Sequence, residues 1–353
     1  MEALVTGATG FIGSHVARAL VEDGWTVRCL ARSGSPRELL DDVAVTWVEG
    51  DLRNEASLRA AIRGCDAVFH AAAYYALWSN TPRLFQEVNI EGTRRVLGLA
   101  REEDVQRTVY TSSVACVGQA PEGDLANEET VATRKDLCGD YKRTKFEAEK
   151  VALEAARAGQ DVVIVNPASV MGPGDIKPTP TGKIIVDFLE GRMPFYMDTG
   201  LNFVDVRDVA RGHVLAYHKG QSGRRYILGN LDGNKTLKEF LEVVGRVTGR
   251  KPPRFKIPYG VAWMAGAVST LVANITQRPP GVPVNGVKMA RRRMFFDPRR
   301  AVEELGMPQA PLEQTVRDAV AWYQEHAALS PAATRLRAAR PAAPQATPLA
   351  YKG

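Results

Sequence analysis

Over roughly the first two-thirds of the chain, short apolar runs alternate with longer stretches in which apolar residues recur every three or four positions. The runs Ala3-Leu4-Val5, 26–30, 43–48, Ala67-Val68-Phe69, Thr108-Val109-Tyr110 and 162–165 read as six strands, and residues 11–22 read as the first helix. Strands alternating with helices imply parallel neighbours joined by helical crossovers. The Val-rich runs, continuous rather than alternating, fit a sheet covered on both faces. The predicted class is α/β: a Rossmann doubly wound parallel sheet with a smaller, mainly helical C-terminal domain.

The pattern loosens after Pro167, and prolines and glycines gather between Gly172 and Gly182. Residues 204–217 and Tyr226-Ile227-Leu228 look like a return to the sheet. The expected division is therefore 1–166 with 204–230 as the sheet domain, and 167–203 with 231–328 as the second domain. Residues 329–353, rich in alanine and proline without periodicity, are expected to be a disordered tail. Asp297-Pro298 followed by Gly306 reads as a helix start and stop. Residues 257–277 carry no charge, but the purely apolar-or-glycine part, 259–268, is too short to span a bilayer. It predicts a buried helix, with peripheral membrane contact as the other reading.

Charge narrows the function classes. The net charge is +6, from 46 Lys and Arg against 40 Asp and Glu. Arg335, Arg337, Arg340 and Lys352 supply much of this excess in a tail without acidic residues. The body is then close to neutral, which argues against a nucleic-acid partner. Cys29, Cys65, Cys116 and Cys138 show no ligand or disulfide spacing, so no metal is expected, and a reducing, cytoplasmic setting fits. The first strand begins within two or three residues of Met1, so no secretory leader is expected.

The turn between the first strand and first helix reads Thr6-Gly7-Ala8-Thr9-Gly10-Phe11-Ile12-Gly13. Gly7 permits a tight turn, Gly10 a close backbone approach to a pyrophosphate, and Gly13 close helix–strand packing. A diphosphate held by Gly7, Thr9, Gly10, Phe11, Ile12 and Gly13 would meet unpaired N–H groups at the positive end of a helix dipole. The second strand ends Ala31-Arg32-Ser33, where NAD binders usually carry an acidic residue. Arg32 can instead bond a ribose 2′-phosphate, so the cofactor is expected to be NADP(H). Asp51 and Leu52, after the third strand, are placed to meet the adenine.

Tyr141 and Lys145 stand four apart, on one face of a helix, and Thr111-Ser112-Ser113 ends the fifth strand. Hydride transfer to a carbonyl creates an alkoxide that needs a proton. A phenol near pKa ~10 is a poor acid–base group at neutral pH unless a cation stabilises its anion. Lys145 and the positively charged oxidised nicotinamide are expected to supply that charge, Lys145 also to hold ribose hydroxyls, while Ser113 holds the substrate oxygen near Tyr141.

Together these residues resemble the extended short-chain dehydrogenase/reductases, the NAD-dependent epimerase/dehydratase family. The resemblance rests on residues 6–13, Gly50-Asp51-Leu52, His70-Ala71-Ala72, residues 89–93, Thr111-Ser112-Ser113, Tyr141 with Lys145, and residues 204–210. It covers about residues 1–325. It implies that Ser113, Tyr141 and Lys145 carry catalysis and that Ala71, Ala72, Pro167 and Ser169 line the cofactor site. Gly24-Trp25-Thr26-Val27-Arg28 and Arg32 look like the dihydroflavonol 4-reductase branch. Residues 70–78, Val165-Asn166-Pro167, 172–182 and 198–202 are similar to the hopanoid-associated sugar epimerase group. Nucleotide-sugar epimerases typically carry an arginine where this chain has Leu201, which weakens a nucleotide-diphosphate-sugar substrate.

The substrate is expected to be a small molecule: a sugar, a ring ketone or a lipid-linked polyol. Tyr74, Tyr75 and Trp78 could stack on a ring or pack beneath a loop. Lys177, Thr179 and Thr181 could meet a polar group or cap a helix near Gly182, and Asn166 adjoins the proline expected at the nicotinamide. His213 is expected to be a packed structural histidine. Three readings stay open: an NADP(H)-dependent oxidoreductase at a carbonyl or secondary alcohol, an epimerase or dehydratase that returns hydride to the same molecule, and a silent NADP-binding module. Relatives often pair through two helices of the sheet domain, which leaves a homodimer open.

Overall fold

The computed structural model describes residues 1–121 and 123–326. The expected tail, 329–353, lies outside the described residues. Six strands alternate with helices as the apolar runs predict: β1 (Glu2–Thr6), α1 (Phe11–Glu22), β2 (Thr26–Ala31), β3 (Thr46–Glu49), α2 (Glu55–Ile62), β4 (Ala67–His70), α3 (Gly92–Glu102), β5 (Arg107–Thr111), α4 (Asp140–Arg157) and β6 (Val162–Pro167). A π-helical turn, Phe85–Glu91, leads directly into α3.

After β6 come β7 (Ser169–Met171), α5 (Pro180–Leu189), β8 (Phe195–Tyr196), β9 (Gly200–Asp205), α6 (Val206–Lys219) and β10 (Arg225–Leu228). The chain continues through β11 (Asn234–Thr236), α7 (Leu237–Thr248), β12 (Phe255–Lys256), α8 (Tyr259–Thr276), α9 (Val284–Met289) and α10 (Leu312–Glu325). The main sheet is entirely parallel, in the order β10-β6-β5-β4-β1-β2-β3. Its order reverses beside β1, so the connections that leave the carboxyl ends of β1 and β4 run to opposite sides of the sheet and open a crevice there, where such sheets bind ligands. α6 packs on α1, and β10 is the edge strand beside β6.

The sheet is buried on both faces. Val5, Val27, Phe69, Val109 and Val163 belong to one apolar cluster, Leu4, Leu30 and Val68 to another. A separate core forms where α5, α7 and α10 meet, with Phe203 and Phe240 stacked at 4.0 Å. There the sheet β11-β9-β7 and the parallel pair β12-β8 frame the far side of the crevice. Thr236 caps α7 through a reciprocal capping box with Glu239.

One expectation is corrected. Residues 257–277 do form a helix, but α8 is not a core helix: only Ala262, Gly266 and Ala273 are buried. These small residues seat α8 on α9, where Val284 and Val287 approach Gly266, and its large apolar side chains face outward. The helix start and stop read at Asp297-Pro298 and Gly306 are present: Asp297 accepts from the Arg299 amide at 3.1 Å, the Val302 amide bonds the Pro298 carbonyl, and the turn Ala301–Leu305, π-helical in its bonding, ends at Gly306 in the left-handed region. No helix among the described residues is long and apolar enough to cross a membrane.

Candidate active site

The Gly-rich turn is built as its residues require. Gly7 has φ +78° and passes so close to Ala72 that a Cβ would lie 2.7 Å from the Ala72 nitrogen. A Cβ on Gly13 would lie 2.1 Å from the Gly7 carbonyl, so α1 can approach β1 only with glycine here. Gly10 caps α1 without a side-chain hydrogen bond, leaving the first-turn N–H groups directed at the crevice. The Ala72 amide donates to Thr6 Oγ1, which is 2.7 Å from His70 Nδ1, so the ends of β1 and β4 are locked together.

One continuous cleft of about 890 Å³ runs from this turn across the carboxyl edge of the sheet. It brings together Gly7, Thr9, Gly10, Phe11, Ile12, Gly13, Arg32, Asp51, Leu52, Ala71, Ala72, Tyr75, Ser113, Tyr141, Lys145, Pro167 and Ser169. A cradle that a Cβ would fill, a bare helix N-terminus and an arginine at the end of β2 together fit a dinucleotide carrying a diphosphate. Asp51 does not stand alone at the adenine end: its carboxylate pairs with Arg53 at 2.7 Å, which holds it below the usual carboxylate range. Arg53 also lines the cleft, a second cation near Arg32 that sequence reasoning did not single out.

Tyr141 and Lys145 lie in the first turns of α4, and Ser113 caps the 3₁₀ turn after β5, accepting a hydrogen bond from the Ala115 amide at 3.1 Å. The Lys145 ammonium donates to the Thr111 carbonyl at 2.7 Å and the Tyr110 hydroxyl at 3.0 Å, and lies over the Tyr110 ring. Burial pulls Lys145 down to about 8 and pushes Tyr141 above its ordinary value. The Ser113 hydroxyl, as a hydrogen-bond partner, opposes the upward shift of Tyr141. In the protein alone Tyr141 is therefore a protonated phenol, suited to giving a proton.

Two expected substrate contacts fall elsewhere. Asn166 is fully buried in β6 and does not face the cleft. Its Nδ2 donates to the Ser113 carbonyl at 3.0 Å and to Glu149 at 2.7 Å. Ser112 and Arg225 also bind Glu149, so Asn166 serves as a brace beneath Ser113. A neighbouring sequence position in a strand points to the opposite face, so adjacency to the cleft-lining Pro167 misplaces Asn166. Lys177 is exposed on the proline-rich loop and does not line the cleft. Thr179, in contrast, caps α5 by accepting from the Gly182 amide and also lines the cleft.

Tyr75 meets Tyr141 ring to ring, with centroids 4.4 Å apart. Tyr74 packs on Phe85, and Trp78 donates to Asn274 on α8 at 2.8 Å, away from the cleft. His213 is buried between Thr111 Oγ1 and the Val209 carbonyl, and burial pulls it down to about 4, so it stays neutral.

The far half of the cleft was not visible from motifs. It is lined by side chains such as Met193, Phe195, Leu201, Leu237, Ile257 and Met294. Among the described residues lining the cleft, the charged ones are Arg32, Asp51, Arg53 and Lys145, all on the sheet side. No local periodicity marks this wall because β8, β9, α7 and the segments around α8 and α9 each contribute one or two residues.

Comparison with known proteins agrees with this geometry. The model of the NAD dependent epimerase/dehydratase family matches residues 3–229. A putative dihydroflavonol 4-reductase of Synechocystis is 44% identical over 326 residues, covering 91% of this chain and 94% of that one. Sterol demethylase protein B of Methylococcus capsulatus is 35% identical over 92% of this chain and 99% of its own. The crystal structure of gox2253 superposes with a TM-score of 0.82 at 39% identity, covering 93% of this chain and 99% of that one.

Proposed function

The chain belongs to the NAD dependent epimerase/dehydratase family, and from that premise we propose that it is an NADPH-dependent reductase that converts an apolar ring ketone to a secondary alcohol. The observation that carries this reading is the split character of the cleft: among the described residues every charged lining residue stands on the sheet side, and the opposite wall is uncharged and mostly apolar. A nucleotide-sugar would bring a second diphosphate into that wall, where its charges would be desolvated without a partner. Leu201 occupies the wall where a phosphate-binding arginine would be needed. The names of the two relatives, one a reductase and one linked to sterols, support a hydrophobic ring as the substrate body.

The residues have distinct roles. Arg32, with Arg53 nearby, takes the ribose 2′-phosphate, and the N–H groups of the Gly7–Gly13 turn take the diphosphate. When bound, NADPH supplies the hydride that reduces the carbonyl carbon. Ser113 donates a hydrogen bond to the carbonyl oxygen and so holds it beside Tyr141. Tyr141, kept protonated by burial, gives its hydroxyl proton to that oxygen as the alkoxide forms. Lys145 holds ribose hydroxyls and the strand end at Thr111.

The test is single-turnover reduction of ring ketones with NADPH deuterated at the transferable position. A reductase leaves one deuterium on the product carbinol and one equivalent of NADP+. Return of unlabelled epimerised substrate with no net cofactor oxidation would assign the epimerase reading instead. Tyr141→Phe must retain NADPH binding and lose label transfer.

A further inference from the structure

α8 presents an apolar face that the fold leaves outside. Val261, Met264, Val268, Leu271, Val272 and Ile275 are between 47% and 75% exposed. At 100° per residue they fall on one side of the helix, opposite Ala262, Gly266 and Ala273, which are buried. The helix has 18 residues and is therefore about 27 Å long, enough for this stripe to lie along a surface.

The surroundings of that face are basic. Residues 243–296 contain ten Lys and Arg and no Asp or Glu. Some of these cations meet carboxylates from elsewhere: Lys256 and Arg293 face Asp198, Arg292 faces Asp136, and Arg246 faces Glu313. Lys251, Arg254, Arg278, Lys288 and Arg291 form no ion pair among the described residues. Three of them flank α8: Arg278 follows its C-terminus, Arg291 covers the Tyr259 ring at its first turn, and Lys288 lines a cavity beside that turn.

A second cavity, of about 410 Å³, opens beside that first turn. It is lined by Tyr259, Trp263, Lys135, Lys142, Lys288, Arg291 and Arg292, with Asp136 the one carboxylate among the described lining residues. Lys142 is 3% exposed, and among the described residues its ammonium has only the Met294 sulfur, at 4.0 Å, as a hydrogen-bond partner. A buried ammonium without an oxygen partner, in a cavity of further cations, is a seat for an anionic group.

We propose that α8 docks this protein on an anionic lipid bilayer, with its apolar stripe in the acyl boundary and a lipid phosphate in the basic cavity beside Tyr259 and Trp263. An apolar helical stripe flanked by basic residues and interfacial aromatics has the chemistry of an in-plane membrane helix. A second copy of the chain fits the charge less well, because a two-fold interface through α8 would set the same basic surround against itself. The placement also serves the cleft: Ile257, just before α8, and Met289, at the end of α9, line its apolar wall. A hydrophobic molecule leaving the acyl layer at α8 is thus one helix away from the substrate wall.

The test is cosedimentation of the full chain with vesicles of phosphatidylcholine, alone or mixed with phosphatidylglycerol. Binding to the mixed vesicles should exceed binding to the neutral ones by at least about tenfold and fall as salt is raised. The double variant Met264→Glu/Leu271→Glu changes only exposed positions and should retain the parent melting temperature and circular dichroism while losing vesicle binding. Lys288→Glu/Arg278→Glu should act in the same direction, and inorganic phosphate at millimolar concentration should not displace the bound protein. Equal binding to both vesicle types, no binding by natively folded parent, or binding unchanged in Met264→Glu/Leu271→Glu would each overturn the proposal. So would a parent that is dimeric by sedimentation equilibrium, does not bind vesicles, and becomes monomeric in the double variant.

Discussion

The rings of Tyr75 and Tyr141 meet edge to face, with centroids 4.4 Å apart and planes at 80°. The contact is set from outside the pair. Asn89 accepts a hydrogen bond from the Tyr74 amide at 2.7 Å, and its own amide donates to the Tyr74 carbonyl at 3.1 Å and to Thr144 Oγ1 at 3.0 Å. The segment after β4 is thereby pinned to the same helical turn that carries Tyr141. An aromatic pair of this kind contributes about 0.5–1.5 kcal/mol beyond its buried area. Tyr75→Phe is therefore expected to keep kcat/KM within about twofold, whereas Tyr75→Ala lowers it by roughly two- to tenfold. Steady-state kinetics on an identified ketone measures both, and equal losses in the two variants would assign the role to the Tyr75 hydroxyl instead.

Asn166 yields a stability prediction rather than a binding one. Its Nδ2 bridges Glu149 and the Ser113 carbonyl in a fully buried setting. Asn166→Ala leaves both acceptors short of a donor and should cost about 1–3 kcal/mol in urea unfolding. Asn166→Asp, which sets a second carboxylate against Glu149, should cost more. Because Asn166 supports the strand end that carries Ser113, kcat should fall with little change in KM. A raised KM at unchanged stability would return Asn166 to the substrate.

Much of this architecture is legible in the chain itself, for a physical reason. Parallel strands buried on both faces need unbroken apolar runs, and a diphosphate turn needs glycines where Cβ atoms would collide, as at Gly7 and Gly13. Both demands are local, so both leave marks in consecutive residues. The substrate wall makes no such demand: Met193, Leu201, Leu237 and Met294 come from separate elements and share only their apolarity. Asn166 and α8 are misread for opposite reasons. Asn166 sits one residue from a cleft-lining proline yet on the other face of the strand, and α8 is apolar all round without being enclosed.

The choice of dinucleotide rests on the end of β2. Arg32 is exposed and lines the cleft, with Arg53 across the adenine end. A charge-assisted hydrogen bond to a phosphate contributes about 1.5–3 kcal/mol. Arg32→Ala should thus raise the Kd for NADPH by roughly ten- to a hundredfold while leaving NADH nearly unchanged. Arg53→Ala should have a smaller effect of the same sign, since that guanidinium is already paired with Asp51. Fluorescence titration with both dinucleotides decides it, and parallel losses for NADPH and NADH would remove the 2′-phosphate from Arg32.

Lys145 ties α4 to the pH dependence of stability. Burial lowers its pKa from 10.5 to about 8, against the opposing influence of Cys116 and Glu149. Between those two values the unfolded chain binds more protons at this position than the folded one, so stability rises with pH across that window. Below about pH 8 the full cost of burying the ammonium is present, and above 10.5 it is relieved. The shift corresponds to about 3 kcal/mol. Lys145→Met removes this titration, so the stability of the parent relative to the variant should climb by an amount of that order between pH 8 and 10.5, as read from urea unfolding at successive pH values. A constant difference across that range would mean that Lys145 remains an ammonium throughout, held by the Thr111 carbonyl and the Tyr110 hydroxyl.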